Sequence, residues 1–267
     1  MMAALGVYLS AMRSSIRPVR HLLPERFWEV DLLRGIAILL MVVYHFVWDL
    51  QGLAGYDINV FTGFWHYWQQ VTANLFIGLA GASMALRRQR MVARNGERRY
   101  SPFFWRGVVI FSWGVVISVV TYLFDPAHYV RFGVLHLIGF SILCAYPLLR
   151  FRWFNLFLGL LLLLIGRMTP LLGIQNPWLG WLGVNAVVRP AFDYFPFIPW
   201  FGILLIGVFF GNLFYREGQR AFPLPDLSRF APVRWLALAG QNSLLIYLLH
   251  QPIMIAGLTL LGLVRLY

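Results

Sequence analysis

The sequence predicts an all-α integral membrane protein, a polytopic bundle of about seven transmembrane helices with its N-terminus in the cytoplasm. Three observations predict it. The 267 residues are 60% hydrophobic and only 12% charged, with a mean hydropathy of +0.70, well outside the range of an ordinary soluble domain. Several apolar runs reach the roughly 20 residues that a hydrocarbon core about 30 Å thick requires. All 22 basic residues are Arg, and threading the runs puts most of them on one side, the pattern that orients a membrane chain.

The predicted spans are 31–50, 69–86, 104–123, 133–149, 153–168, 196–215 and 243–264. The first begins at Asp31 behind an Arg-bearing segment. The second (QQVTANLFIGLAGASMAL) carries Gly78, Gly81, Ala82 and Ala85, small residues at a spacing that lets helices approach closely. The last starts at Asn242 and Ser243, residue types that cap helices, and Pro252 is predicted to bend it. With the N-terminus inside, Arg13, Arg17, Arg20, Arg26, the cluster at 87–99, Arg106, Arg150, Arg152, Arg216, Arg220, Arg229 and Arg234 share the cytoplasmic side. Arg131, Arg167, Arg189 and Arg265 fall outside with the loops 51–68, 124–132 and 169–195, whose Trp, Tyr, Pro and Gly suit the headgroup level. The mixed segment 227–241 is expected to lie along the cytoplasmic interface.

The net charge of +12 is thus a matter of topology, and no nucleic-acid partner is expected. Cys144 is the only cysteine, so no intrachain disulfide can form. Residues 1–12 are apolar, but the Arg residues follow them, the reverse of a cleaved signal peptide. No internal repeat or low-complexity linker divides the chain. A cytoplasmic N-terminal segment (1–26) and one membrane domain (27–267) are the economical division. There is no Gly-rich phosphate loop and no nucleophile elbow.

The first span carries the informative chemistry. At about 100° per residue, with Asp31 at 0°, Arg34 falls at about 300°, His45 at about 320° and Asp49 back at about 0°. One stripe therefore holds every ionisable residue of the span, and it must face the bundle, because charge facing lipid is costly. Asp31 and Arg34 are spaced to pair at one end, His45 and Asp49 at the other, about 16 Å apart along the axis. A His with a carboxylate four residues on is the arrangement of a base and its orienting partner; the plain alternative is a polar pair gluing helices together. His136 in GVLHLIGF and His250 in NSLLIYLLHQP add two more intramembrane imidazoles, and Ser243, Tyr247 and His250 share an arc of about 60°. Gln70 and Asn74 lie on one face of the second span. The three His lack the spacing of a helical metal pair and have no Cys or Glu companion, so no metal is expected.

These blocks resemble a known group. Arg34 and His45, with ten residues between them, are similar to the Arg-x10-His signature of the membrane acyltransferase superfamily. YHFVWDL (44–50), NLFIGLAGASMAL (74–86), FGVLHLIGFSIL (132–143), FDYFPFIPWFGILLIGVFFG (192–211) and GQNSLLIYLLHQPI (240–253) resemble bacterial membrane proteins related to the catalytic domain of heparan-alpha-glucosaminide N-acetyltransferase. The resemblance implies transfer of an acetyl group from cytoplasmic acetyl-CoA to an amine or hydroxyl of a glycan beyond the membrane. It points to His45, Asp49 and His136 as catalytic, with His66 in FWHYWQQ as the rival to His45. An acyl-CoA site would draw on Arg34, Arg87, Arg88, Arg90, Asn242, Ser243 and His250, with Arg94, Arg98 and Arg99 adding to the cationic mouth. The outer loops are expected to shape the acceptor pocket, with Asn74, Asp57, Asp193 and Arg189 as contacts.

The implied partners are acyl-CoA, a saccharide acceptor and membrane lipid, with a homodimer as a further option, and the implied location is the bacterial inner membrane. Two other classes compete. A transporter or flippase would use the same stripe as a solute or proton path, but its inverted repeats are not visible. A structural membrane subunit would need no chemistry at all.

Overall fold

The computed structural model describes residues 26–95, 100–184 and 191–264. Eight helices form among these residues: α1 Trp28–Gly52, α2 Gly63–Asn95, α3 Ser101–Phe124, α4 Val134–Ala145, α5 Trp153–Met168, α6 Phe197–Phe214, α7 Ala231–Gln241 and α8 Ser243–Leu260. Short 3-10 turns cover Tyr146–Leu148, Thr169–Leu172 and Pro177–Leu182, and the two-residue strands β1 Tyr215–Arg216 and β2 Gln219–Arg220 pair antiparallel.

Among the described residues, five stretches are long and apolar enough to cross a membrane: α1, α3, Trp153–Leu172, α6 and α8. The helix at Val134–Leu148 is apolar but short. At 33 residues α2 is long, but Gln69, Gln70 and Asn74 and its Arg-rich second half make it polar. The seven predicted spans therefore include two helices that meet only one of the two requirements. Outward faces fit a lipid solvent: α3 exposes Val109, Val115, Val116, Val119 and Val120, and α5 exposes Phe157, Leu160 and Leu164. Apolar faces of this extent are not left to water.

The core lies where α2, α4 and α6 meet, around the fully buried Ile77, Leu137, Leu204, Leu205 and Val208, with Phe103 of α3 beside them. Small residues set the closeness of packing. A Cβ on Gly81 would lie 2.0 Å from the Leu204 carbonyl oxygen, and one on Gly207 would lie 2.0 Å from that of Gly78, so α2 and α6 touch backbone to backbone as the spacing of Gly78, Gly81, Ala82 and Ala85 predicts. The same device joins α1 to α7: a Cβ on Gly35 would meet the Leu236 carbonyl oxygen at 1.9 Å, and one on Gly240 that of Asp31 at 1.9 Å. The segment predicted to lie along the interface is thus a helix clamped across the first turns of α1.

Polar contacts gather the helix ends into two groups. At the Arg-rich end, Glu29 accepts from the Tyr215 hydroxyl at 2.8 Å and from Arg220 Nε and Nη2 at 2.6 and 2.7 Å, which binds the hairpin to α1. Gln89 donates to Asn212 Oδ1 at 2.9 Å, and Asn212 donates to the Leu149 carbonyl at 3.0 Å, so α2, α6 and the end of α4 meet there. At the opposite end Trp48 packs edge-on against Phe192, and Phe192 N–H donates to the His128 carbonyl at 2.7 Å.

Several boundaries differ from the hydropathy reading. Helix α2 starts at Gly63, not 69, and runs on through the Arg cluster to Asn95, because leaving the apolar layer does not end a helix and Arg is a good helix former. The fourth span ends its α-helix at Ala145, where Pro147 imposes a 3-10 turn. The last ends at Leu260, where Gly262 takes a φ of 71° and its N–H donates to the Thr259 carbonyl. The hairpin is absent from the sequence reading; its turn residues Glu217 and Gly218 both have positive φ, 51° and 77°, the type I′ geometry that fits a two-residue hairpin.

Candidate active site

Helices α1 and α8 run side by side from the Gly35–Gly240 contact toward the opposite end, and this brings His45 beside His250. Their ring centroids are 4.8 Å apart at an interplanar angle of 75°. Backbone hydrogen bonds fix both tautomers. A carbonyl oxygen only accepts, so the contacts of His45 Nδ1 with the Met41 carbonyl at 2.9 Å and of His250 Nδ1 with the Tyr247 carbonyl at 2.6 Å place a proton on each Nδ1. Each neutral ring then offers Nε2 as its basic nitrogen.

The predicted His45–Asp49 pair is not formed. Asp49 is fully buried and accepts from Gln251 Nε2 of α8 at 3.3 Å, while the orienting role falls to the Met41 carbonyl. The reason is local: a carbonyl four residues back is already in reach of His45 Nδ1, and the Asp49 side chain finds a donor on the neighbouring helix instead.

Tyr247 extends the row. Its ring centroid lies 5.6 Å from that of His250 and its hydroxyl donates to Asp193 Oδ2 at 3.3 Å. The same oxygen accepts from the Val134 N–H at 2.9 Å, at the first turn of α4. Burial pushes the Asp193 carboxyl up to about 6. Gly133 makes this approach possible, since a Cβ there would lie 2.3 Å from Asp193 Oδ2. His45, His250, Tyr247 and Asp193 thus form one line across α1, α8 and the segment before α6.

His136 stands apart from that line. It is buried, its Nδ1 accepts from the Gly133 N–H at 3.2 Å, and its ring packs against Phe111 and Phe132. Its position is that of a helix cap, and its Nε2 faces Ser118 Oγ at 3.5 Å. His66 is exposed beside Tyr67, and Asp57 is exposed as well. Asn74 donates to the Gln70 carbonyl of its own helix at 2.7 Å, a contact that satisfies the side chain locally. Arg189 lies outside the described residues.

At the Arg-rich end the Asp31–Arg34 pair forms as predicted, Nη1 to Oδ1 at 3.0 Å. Arg34 also donates to Ser83 Oγ at 2.7 Å and to the Gly240 carbonyl at 3.4 Å, so it ties α1 to α2 and α7. Arg87 lies over Phe103 and Arg90 over Phe27, with centroid distances of 5.4 and 4.4 Å, while Arg88 is half-buried on the same helix. Arg106 of α3, which the sequence reading assigned to topology alone, stands close enough to Arg87 and Arg34 to feel the charge of both. Asn242 donates to the Leu238 carbonyl at 2.9 Å, bracing the junction between α7 and α8, and Ser243 begins α8 half-buried. The side chain of Arg94, and Arg98 and Arg99, lie outside the described residues. Among the described residues no three His, Cys, Asp or Glu side chains converge to hold a metal ion.

Five stretches long and apolar enough to cross a membrane, with exposed apolar faces on α3 and α5 and a line of polar side chains between helices, define a helical membrane protein. The chain belongs to the family described as "Heparan-alpha-glucosaminide N-acetyltransferase, catalytic", whose model matches residues 26–252. That family places it among the membrane acetyltransferases. Neither the curated proteins nor the solved structures contain a match.

Gln251 and Arg106 are the residues that sequence reasoning missed. Gln251 stands between His250 and Pro252, and an amide amid LIYLLHQPI is itself a polar anomaly that points inward.

Proposed function

We propose that the protein moves an acetyl group from acetyl-CoA, bound at the Arg-rich and cytoplasmic end, to an amine or hydroxyl of a saccharide at the opposite face. On this reading seven helices cross the bacterial inner membrane, with α2 and α4 completing the five apolar ones. The observation that carries it is the His45–His250 contact, made by the same two helices whose other end lies beside the Arg34, Arg87 and Arg106 cations. Guanidinium groups recognise phosphate with charge-assisted hydrogen bonds, and His45 is about 16 Å further along the helix axis from Arg34. A thioester on an extended arm entering between the helices would meet the imidazole there.

His45 Nε2 is the general base. For an amine acceptor, the nitrogen attacks the thioester carbonyl, a C–N bond forms and the C–S bond breaks; the proton leaving nitrogen passes to His45 Nε2 and then to the departing thiolate. His250, edge-on to His45, limits how the imidazole can turn, and its own Nε2 is available to hold the acceptor. The test is release of CoA thiol by the purified protein with glucosamine as acceptor. Wild type is expected to release thiol in proportion to acceptor. Unchanged turnover in both His45→Ala and His45→Gln would refute the assignment of His45, and no release with any amino or hydroxyl sugar would refute the transferase reading.

A further inference from the structure

Helix α7 clamps α1 with one face, through Gly240 and the backbone of Leu236. Its other face is exposed and amphiphilic. Leu227 and Phe230 lead into it, Trp235 and Leu238 lie on it, and Phe230 and Trp235 keep 64% and 65% of their surface open. Such a row is poorly suited to water, whereas Trp beside Arg is the composition of a membrane boundary. The charge here is cationic. Arg229 and Arg234 are both exposed, and Arg234 lies over the Trp235 ring at 5.8 Å. The neighbouring acid is Asp226, which feels the charge of Arg229 and whose Oδ1 already accepts from the Ser228 N–H at 2.9 Å. Where α7 gives way to α8, a groove of about 310 Å³ is lined by Gln241, Asn242, Leu244, Leu245 and Leu248. Beyond it the exposed Leu245 and Leu249 continue the outward face along a helix apolar enough to cross a membrane.

We propose that this edge, from Arg229 and Arg234 to the leucine groove, is a binding site for an anionic glycerophospholipid of the membrane leaflet at the Arg-rich end. The order of groups along the edge is the order of groups along the lipid. Guanidinium groups take the phosphate, the Gln241 and Asn242 amides stand where ester oxygens need donors, and the leucines receive an acyl chain. Arg234 and Gln241 are seven residues apart, which puts them on one edge of α7 at a separation of about 10 Å. A headgroup layer about 5–8 Å deep, met by the long flexible Arg side chain, covers that distance. A soluble phosphate would use the Arg residues alone and leave the groove empty. A zwitterionic lipid would fill the groove but bring its own cation against the Arg residues. The site goes beyond the proposed acetyl transfer and stands or falls apart from it.

The test titrates phosphatidylglycerol and phosphatidylcholine with the same acyl chains, in mixed micelles, against the full-length protein, and reads affinity from thermal stabilisation. Wild type is expected to bind phosphatidylglycerol at least about fivefold more tightly, the worth of one Arg at an anionic surface, and the preference should fade as salt is raised. Arg229→Gln and Arg234→Gln should each weaken phosphatidylglycerol by about fivefold and leave phosphatidylcholine unchanged. Arg150→Gln removes an exposed cation from the same end but off this edge, and should change neither. Leu245→Trp, at an exposed position, fills the groove and should weaken both lipids. Glycerol 3-phosphate, a phosphate without chains, should not stabilise wild type at the same concentrations. The wild-type comparisons need no variant to fold. Equal affinity for the two lipids in wild type, or stabilisation by glycerol 3-phosphate that matches phosphatidylglycerol, overturns the proposal. So does an equal loss in Arg150→Gln and Arg234→Gln, which would make the attraction one of net charge alone, or an undiminished affinity in Leu245→Trp.

Discussion

His45 of α1 and His250 of α8 stand edge to face at 4.8 Å, each with its Nδ1 proton committed to its own helix backbone. The two rings therefore cannot exchange roles without breaking a backbone contact, and only Nε2 of each is open to chemistry. Removing the base should reduce kcat by about 10²–10⁴-fold, the usual contribution of a positioned general base. His45→Ala is expected to fall in that range. His250→Ala should do less to kcat and more to KM, because it acts through the pose of its neighbour and of the acceptor. Steady-state thiol release over a range of acceptor concentrations reads both. Equal kcat losses for the two variants would show that they act as one catalytic unit.

The glycine contacts give a prediction about folding that is independent of the chemistry. At Gly81 and Gly240 a Cβ would fall within 2.0 Å of a carbonyl oxygen on a facing helix, whereas at Gly78 and Gly257 it would meet nothing within 4 Å. Gly81→Ala and Gly240→Ala should each destabilise by about 1–3 kcal/mol, the typical cost of overpacking, and lower the melting temperature in detergent. Gly78→Ala and Gly257→Ala should leave it unchanged. A uniform response across the four would show that the helices separate freely at these crossings.

The sequence makes the apolar helices and the Asp31–Arg34 pair legible because both are local: a 3.6-residue period and a three-residue spacing need no knowledge of the neighbours. It also signals the inward face of α1 and of α8, since charge in an apolar run has one affordable direction. The partner of Asp49 is not legible. Sequence spacing offers His45, four residues away, but Gln251 is 202 residues distant and becomes a neighbour only through the parallel packing of α1 and α8. His136 illustrates the same limit: an imidazole in a membrane helix reads as chemistry until the structure shows that its Nδ1 caps Gly133. The hairpin at 215–220 is hidden because a hydropathy window sees only a polar gap between two spans.

Glu29 and Arg220 form the buried anchor of that hairpin, and the cost of breaking it can be measured. Arg220→Ala would strip the Glu29 carboxylate of its guanidinium donors, leaving the Tyr215 hydroxyl and its own backbone N–H, and would remove the guanidinium that lies 5.6 Å from the Phe27 ring centroid. Breaking a largely buried pair from one side costs roughly 3 kcal/mol. Glu29→Gln in the Arg220→Ala background should restore part of it by removing the stranded charge. A thermal-unfolding double-mutant cycle checks this, and additive losses would mean that the two side chains do not interact energetically.

Asp193 supplies the pH dependence. Its carboxyl is raised from an ordinary 3.8 to about 6 by burial, against the opposing pull of the Val134 N–H and the Tyr247 hydroxyl. An acid raised in the folded state holds its proton between these two values while the unfolded chain has released it, so folding takes up a proton in that window. The stabilisation from this group is full below about pH 4 and is lost as the pH climbs through about 6. Asp193→Asn cannot titrate, so its melting temperature should hold where that of wild type declines, and the gap between the two should stop changing above about pH 7. Melting curves for both proteins in detergent from pH 4 to 8 decide it. Parallel curves would mean that the carboxyl titrates as an exposed one, and that the bonds from Val134 and Tyr247 do not hold it in a buried site.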